Sequence, residues 1–576
     1  MEEKKLKSIQ SILKNDVRLK SWSEFITVCF IAIIFASAGN IFKIRIDLTE
    51  DKRYSLSEQT RKIIGNLKED IYIQVYLDGE MPVLFKKLRR SVREMLDEFR
   101  YASHRYIDYE FINPSAGTDR AAREKFQEQL VEKGLSPVNV MMKDKEGGSS
   151  QRMIFPGMIV NYNNVEVPVN FLKNNPALSP EVNLLHSAEG LEYELIQTIS
   201  TLTSDTVYNV AFIEGHGELP EIEVADLILH LAKYFTVDRG SPAGNPDALN
   251  KYAAIIVAGP VNRFDEKDLF AIDQYIMKGG RVVWLYEEVE VNADSLVYGE
   301  TVALYKPVGI EEALFKYGVR VNPVLVQDME CMLIPVKVIT GGNQQVVPMP
   351  WVYYPLLIPS PSHPVTRNLN RVMGKFVNYI DTVGRDTEVR KEILLTTSQR
   401  TRTVNPPLSV SLKDVDRMPD ESLFNKSNLP VAVLLSGKFK SAFLNRIIDG
   451  LAPDRNYKLL TESKPAKMIV IADRDIIRNE VRRTGTNEIP LPLGQDRYTM
   501  QTFGNRDFLI NCVNYLVDET GLMELRSREL KLRLLNKKVI SEKKLLIQTV
   551  NTLVPVLLII ISAIVYTSVR KKMYTR

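Results

Sequence analysis

The sequence predicts an α/β protein, a large multi-domain body held between two membrane-crossing helices. Three observations predict it. Phe25–Phe42 runs for 18 residues and Leu545–Val569 for 25 without a formal charge, at opposite ends of a 576-residue chain. A helix crossing a hydrocarbon core of roughly 30 Å needs about 20 such residues. Between the two runs, short apolar segments bounded by Gly, Pro and Asn alternate with amphipathic stretches, the pattern of a doubly wound parallel sheet.

Two crossings put both ends on one side of the membrane and the body on the other. The leader 1–24 carries Lys4, Lys5, Lys7, Lys14, Arg18 and Lys20, and the tail 570–576 carries Arg570, Lys571, Lys572 and Arg576. Short Lys/Arg-rich tails stay cytoplasmic while long domains translocate largely regardless of charge, so the body is expected outside. The basic residues Lys43, Arg45, Lys537, Lys538, Lys543 and Lys544 oppose this bias without outweighing it. Ala36-Ser37-Ala38 has the form of a signal-peptide cleavage site, but the uncharged run continues to Phe42, which favours an uncleaved anchor.

Composition excludes several classes. Charged residues at 25% and apolar residues at 45% are globular values, and a net charge of +4 is too small to predict a nucleic-acid partner. Cys29 lies in the first span, which leaves Cys331 and Cys512, too few for a disulfide framework or a CxxC zinc site.

The leader places Leu6, Ile9, Leu13 and Val17 at helical spacing among lysines, a basic amphipathic helix. After the first span, Ser57 caps a helix within Ser55–Leu67, and Ile71–Leu77 alternates as a strand. Val83–His104 is a helix with Leu84, Leu88, Val92, Met95 and Phe99 in one stripe, and Tyr106–Ile112 is the next strand. Together these form a βαβ unit with a parallel pair. Short strands follow over Gly134–Phe171, then one long helix over Val182–Leu202.

From Val207 the apolar strands Val207–Ile213, Ala253–Ala258 and Arg281–Tyr286 alternate with helices at Val224–Tyr234 and Asp265–Met277, the sign of a parallel sheet covered on both faces. Phe315–Val326 holds a helix end and a strand, and proline-rich Cys331–Asp420 yields only scattered strands. Order returns at Val431–Leu435, Met468–Ala472 and the helix Phe508–Asp518. The expected organisation is a tail (1–24), a span (25–42), two extracytoplasmic α/β domains (47–205 and 206–525), a basic juxtamembrane helix (526–544), a span (545–569) and a tail (570–576).

The chain encodes no phosphate-binding loop. Gly437-Lys438 is followed by Phe439, and Ala432 stands where the first glycine belongs. H-E-x-x-H, G-x-S-x-G and G-x-G-x-x-G are also absent, and neither Cys331 nor Cys512 sits on a nucleophile turn. No catalytic residue, metal ligand or cofactor is predicted.

One turn qualifies as a candidate ligand or partner site. Glu214, Gly215, His216, Gly217 and Glu218 join a central strand to a helix, where open α/β sheets bind ligands. The plain alternative is a structural turn whose Glu218 complements the helix dipole. In the second span, Gln548, Asn551, Thr552, Ser562 and Thr567 are costly to turn toward lipid, and Pro555 frees a backbone carbonyl. These predict a face packed against partner helices.

Four stretches carry a family resemblance. Asp47–Ser57 (DLTEDKRYSLS), Phe212–Glu218 (FIEGHGE), Gly279–Val283 (GGRVV) and Gly504–Asn511 (GNRDFLIN), in this order within a two-span frame, resemble the auxiliary components of gliding-motility ABC transporters. The resemblance implies a non-catalytic subunit of the bacterial inner membrane with a periplasmic body. Its implied partners are a separate permease (GldF-like), a separate ATPase (GldA-like) and envelope components. It also implies a glutamine-amidotransferase-like α/β domain, without the nucleophilic cysteine that such an activity needs.

Overall fold

The computed structural model describes residues 22–23, 25–31, 33–34, 55–116, 119–143, 149–172, 178–204, 206–340, 343–384, 388–416, 420–447, 450–451, 457–485, 487–527 and 541–574. Residues 54–528 form one compact unit, and 1–53 with 529–576 form another. The leader helix, the second half of the first predicted span and most of the juxtamembrane segment lie outside the described residues.

The N-terminal part of the larger unit is built as the βαβ reading requires. Ser57 Oγ accepts from the Thr60 amide and starts the helix Glu58–Gly65. The strands Ile71–Val75 and Ile107–Phe111 pair in parallel across the helix Val83–Ala102. Gly157–Tyr162 and Val165–Asn170 extend this sheet in antiparallel fashion. The expected long helix over Val182–Leu202 is two helices, Pro180–Glu189 and Leu191–Thr203, separated at Gly190. A glycine inside a helix costs about 1 kcal/mol relative to alanine, and the break falls there. Glu192 ties the helix Leu191–Thr203 to the N-terminal helix Glu58–Gly65 by accepting from the Ser57 amide and the Thr60 hydroxyl, both at 2.8 Å.

The remainder is organised on one ten-stranded sheet. The strands Thr236–Gly240, Asn209–Ile213, Ala254–Ala258, Val282–Leu285 and Ala466–Ile471 are parallel neighbours in that order. Beyond Ala466–Ile471 the sheet turns antiparallel through Pro430–Gly437, Val389–Thr396 and the hairpin Cys331–Thr340/Asn343–Pro359, with Val372–Met373 paired to Asn343–Pro359 as the tenth strand. The doubly wound expectation thus describes the parallel half. Val431–Leu435, where the sequence predicts order to return, lies in the first antiparallel strand.

Alternate residues explain the continuous apolar runs. Val210 and Phe212 point into one core with Val224, Leu227, Phe508 and Cys512, while Ala211 and Ile213 point into the other with Leu269, Ile272 and Ile276. Helices Glu221–Leu231 and Asn505–Val517 cover the first face, and Glu266–Met277 and Glu311–Tyr317 the second. Both faces are buried, so each strand is apolar throughout.

In the smaller unit, Lys544–Tyr574 is one helix of 31 residues. Its segment Lys544–Lys572 is long and apolar enough to cross a membrane. Pro555 lies inside it.

Candidate functional site

The carboxyl ends of the parallel strands form one rim. The Asn209 strand ends there in the turn Glu214–Glu218, the Ala254 strand in Gly259-Pro260, the Val282 strand in Tyr286-Glu287, and the Ala466 strand in Asp473-Arg474-Asp475. Ligands of open α/β sheets bind at this end of the strands.

The turn is built around His216, which is only 3% exposed. Gly215 and Gly217 take φ of +123° and +75°. A Cβ on Gly217 would lie 2.7 Å from Val261 Cγ2 and 2.8 Å from Asn262 Nδ2, so this position needs glycine for space as well as conformation. The amides of Val261 and Asn262 donate to the His216 carbonyl at 3.0 and 2.8 Å. The imidazole stacks on Phe264 with centroids 3.8 Å apart. Its Nδ1 is 3.1 Å from Glu218 Oε1 and its Nε2 is 3.2 Å from Asp268 Oδ2. The second Glu218 oxygen accepts from the His216 amide at 2.7 Å, and Asp268 accepts from the Gly244 amide.

Each ring nitrogen therefore faces a carboxylate, and the ring is closed off from solvent. The arrangement is a buried clamp joining the turn to the helix Glu266–Met277. Glu214 is the more open member. Its Oε1 lies 2.7 Å from both Nε and Nη2 of Arg239, whose Nη2 also donates to the Leu219 carbonyl at 3.1 Å. All five predicted turn residues thus sit together. Asp268, Phe264 and Arg239 complete the turn and carried no local signal in the sequence, because they lie on later elements.

A second group of carboxylates stands at the ends of the next two strands. Asp473 is fully buried and accepts from the amides of Lys375 at 2.9 Å and Asp475 at 2.7 Å. Burial, reinforced by the negative charge of Asp475, pushes its carboxyl up to about 8. Glu287 is raised well above the usual carboxylate range, by burial first and then by Asp475, with Arg474 opposing. Its Oε2 is buried without a hydrogen-bond partner, and its Oε1 is 4.0 Å from Arg474 Nε. Arg474 comes this close to the rim because Gly259, at φ +67°, leaves room where a Cβ would meet Arg474 Cβ at 2.9 Å. Among the described residues no three His, Cys, Asp or Glu side chains converge as metal ligands.

The cysteines lie elsewhere and are poor nucleophiles. Burial raises the Cys331 thiol to about 11 and the Cys512 thiol well above its ordinary value, so the thiolate is scarce at neutral pH. In the GNRDFLIN stretch, the buried Asn505 accepts from the Met373 amide at 2.9 Å and donates to the carbonyls of Met373 and Ile476. Asn511 donates to the Val365 carbonyl and accepts from Arg526. These asparagines staple loops to the helix Asn505–Val517. In the C-terminal helix, Thr552 and Thr567 donate to the carbonyls of Gln548 and Ala563 within their own chain. Of the predicted polar set, that leaves Gln548, Asn551 and Ser562 as the side chains that still call for partners.

A family model for the auxiliary component of an ABC-type uncharacterized transport system matches residues 208–512. The chain belongs to this ABC-transporter auxiliary family. The matched region runs from the Asn209 strand to the helix Asn505–Val517, so the family's extent is the ten-stranded sheet with its rim. A second model, for a domain of unknown function, matches residues 50–161 ahead of it. Among solved structures, the chain is similar to the mmIFT52 N-terminal domain at 12% identity and a TM-score of 0.31, over 54% of this chain and 96% of that one. No curated protein matches the chain.

Proposed function

We propose that this auxiliary-family chain is the non-catalytic, membrane-anchored accessory subunit of a gliding-motility ABC transporter, a GldG-like component. Its body faces the periplasm, both termini are cytoplasmic, and it contacts envelope partners or substrate. In this reading it assembles in the inner membrane with a GldF-like permease and a GldA-like ATPase, its two domains are 47–205 and 206–525, and its sheet domain is of amidotransferase-like descent. The observation that carries the reading is the family match over 208–512. The apolar helix Lys544–Lys572 and the four short motifs support it. An envelope hydrolase working through Glu214–Glu218 has less support, because each nitrogen of His216 already faces a carboxylate.

Co-purification tests the proposal. The permease and ATPase should travel with the full chain in detergent, and should be released when Leu545–Val569 is replaced by poly-leucine. Gln548, Asn551 and Ser562 are the groups whose interhelical hydrogen bonds that swap removes, each worth about 0.6 kcal/mol on average. A complex that survives the swap intact would place assembly elsewhere, and failure to recover either partner with the unaltered chain would refute the subunit reading.

A further inference from the structure

A cavity of about 330 Å³ opens beside the helix Glu311–Tyr317. Glu288, Glu311, Arg320, Tyr305 and Phe315 line it. Glu288 is 5% exposed. Its backbone is fixed on both sides: its amide donates to Asn378 Oδ1 at 2.7 Å, and its carbonyl accepts from the Lys306 amide at 2.9 Å. Asn378 is itself held through the carbonyls of Val324 and Ala472. The carboxylate enters the cavity from a rigid frame, and among the described residues no hydrogen bond or ion pair reaches it.

Burying an unpaired carboxylate is costly. Glu311 adds negative charge beside it while spending its Oε1 on the amides of Val308 and Gly309. Burial, with Glu311 next, raises the Glu288 carboxyl to about 7, against a weaker pull from Arg320. Among the described residues of the lining Arg320 is the one cation, and it is outnumbered there by Glu288, Glu311 and Glu312. Tyr305 and Phe315 are both about half exposed at the rim. Aromatic faces beside a carboxylate suit an organic cation on an apolar stem, through cation–π contact and stem packing. The volume is at the lower end of the range for organic ligands.

The surroundings point to the source of that cation. Val302 and Leu304 stand exposed on the strand Glu300–Tyr305 that delivers Tyr305, and Val297 and Tyr298 are exposed on the preceding 3-10 helix. Exposed apolar residues gathered beside a charged pocket mark an interaction surface. A free amine would leave this strip uncovered, whereas a chain carrying apolar residues beside its basic one would cover it.

We propose that this cavity receives the Lys or Arg side chain of a partner polypeptide, with Glu288 as the counter-charge and Val302 and Leu304 packing the flanking apolar residues. The inference does not depend on the transporter reading.

Calorimetry on the full chain in detergent tests it with acetyl-Leu-Arg-Leu-amide, its Gln-centred analogue and agmatine. The Arg peptide should bind at least tenfold more tightly than agmatine and the Gln peptide. Glu288→Gln, which keeps the shape, should weaken the Arg peptide and agmatine tenfold or more, and Leu304→Ser should weaken only the peptide. Three results would overturn the proposal: agmatine binding as tightly as the Arg peptide, Arg-peptide binding indifferent to Glu288→Gln, or no binding of either cation.

Discussion

Removing the His216 side chain tests whether the turn Glu214–Glu218 is a clamp or a ligand site. His216→Ala deletes the ring stacked at 3.8 Å on Phe264 and leaves the nearly buried carboxylates of Glu218 and Asp268 without their shared partner. Leaving a buried acceptor without its hydrogen-bond partner costs about 1–3 kcal/mol per group. Here each carboxylate keeps a backbone donor, the His216 amide for Glu218 and the Gly244 amide for Asp268, which places each loss near the lower figure, about 2 kcal/mol for the two. The lost ring contact adds about 1 kcal/mol. The expected destabilisation is therefore about 3 kcal/mol. His216→Phe keeps the stack and drops both polar contacts, so it should recover only the smaller part. Urea unfolding followed through tryptophan fluorescence gives the measurement, because Trp284 is buried 6.5 Å from Phe264 in the same core. The clamp argument fails if His216→Ala costs under 1 kcal/mol. It fails equally if the variant stays as stable as the parent and loses permease and ATPase on co-purification.

Two further outcomes follow from named contacts. Glu288 is raised from 4.5 to about 7, so it costs nothing below the lower value. Stability then falls as pH rises between the two and stays reduced above the upper one, a span worth about 3 kcal/mol. Glu288→Gln should match the parent near pH 4.5, lack this part of the decline, and be the more stable protein at pH 8. The charges of Glu311 and Arg320 and the Tyr305 hydroxyl remain in both proteins, so the difference between the two urea-midpoint profiles isolates Glu288, and parallel profiles would remove it as the titrating group. Asn505→Ala orphans three backbone groups, at Met373 and Ile476, and should cost about 2–4 kcal/mol in the same assay. A loss under 1 kcal/mol would mean that water replaces the staple.

The legibility of the sequence varied with how each segment is buried. Asn209–Ile213, Ala254–Ala258 and Val282–Leu285 are apolar on both faces and were readable from composition alone. Thr236–Gly240, with the sequence TVDRG, is the partly exposed edge strand of the same sheet and had no such signal. The stretch Cys331–Asp420 hid a long hairpin because prolines argue against strands, yet Pro335 pairs with Pro348 inside it. Within the candidate site, the glycines and acids of the turn were visible as a local pattern. Asp268 and Phe264 were not, since only the packing of the next helix brings them to His216. Glu288 was invisible for a similar reason, because its isolation comes from surrounding elements and not from its neighbours in the chain.

The strand Asn343–Pro359 has a mechanical consequence. At about 3.3 Å per residue its 17 residues span roughly 55 Å, most of them paired to Cys331–Thr340, with Leu356 and Leu357 paired to Val372–Met373 and Ile358 and Pro359 to Val389–Thr396. A load along the hairpin is shared in shear by a long ladder and then passes on through these two short junctions and through the packing of Trp351 and Tyr353 with Phe376. Pulling should therefore break these short junctions before it disturbs either the hairpin's own ladder or the parallel strands, and the rim behind it keeps its shape.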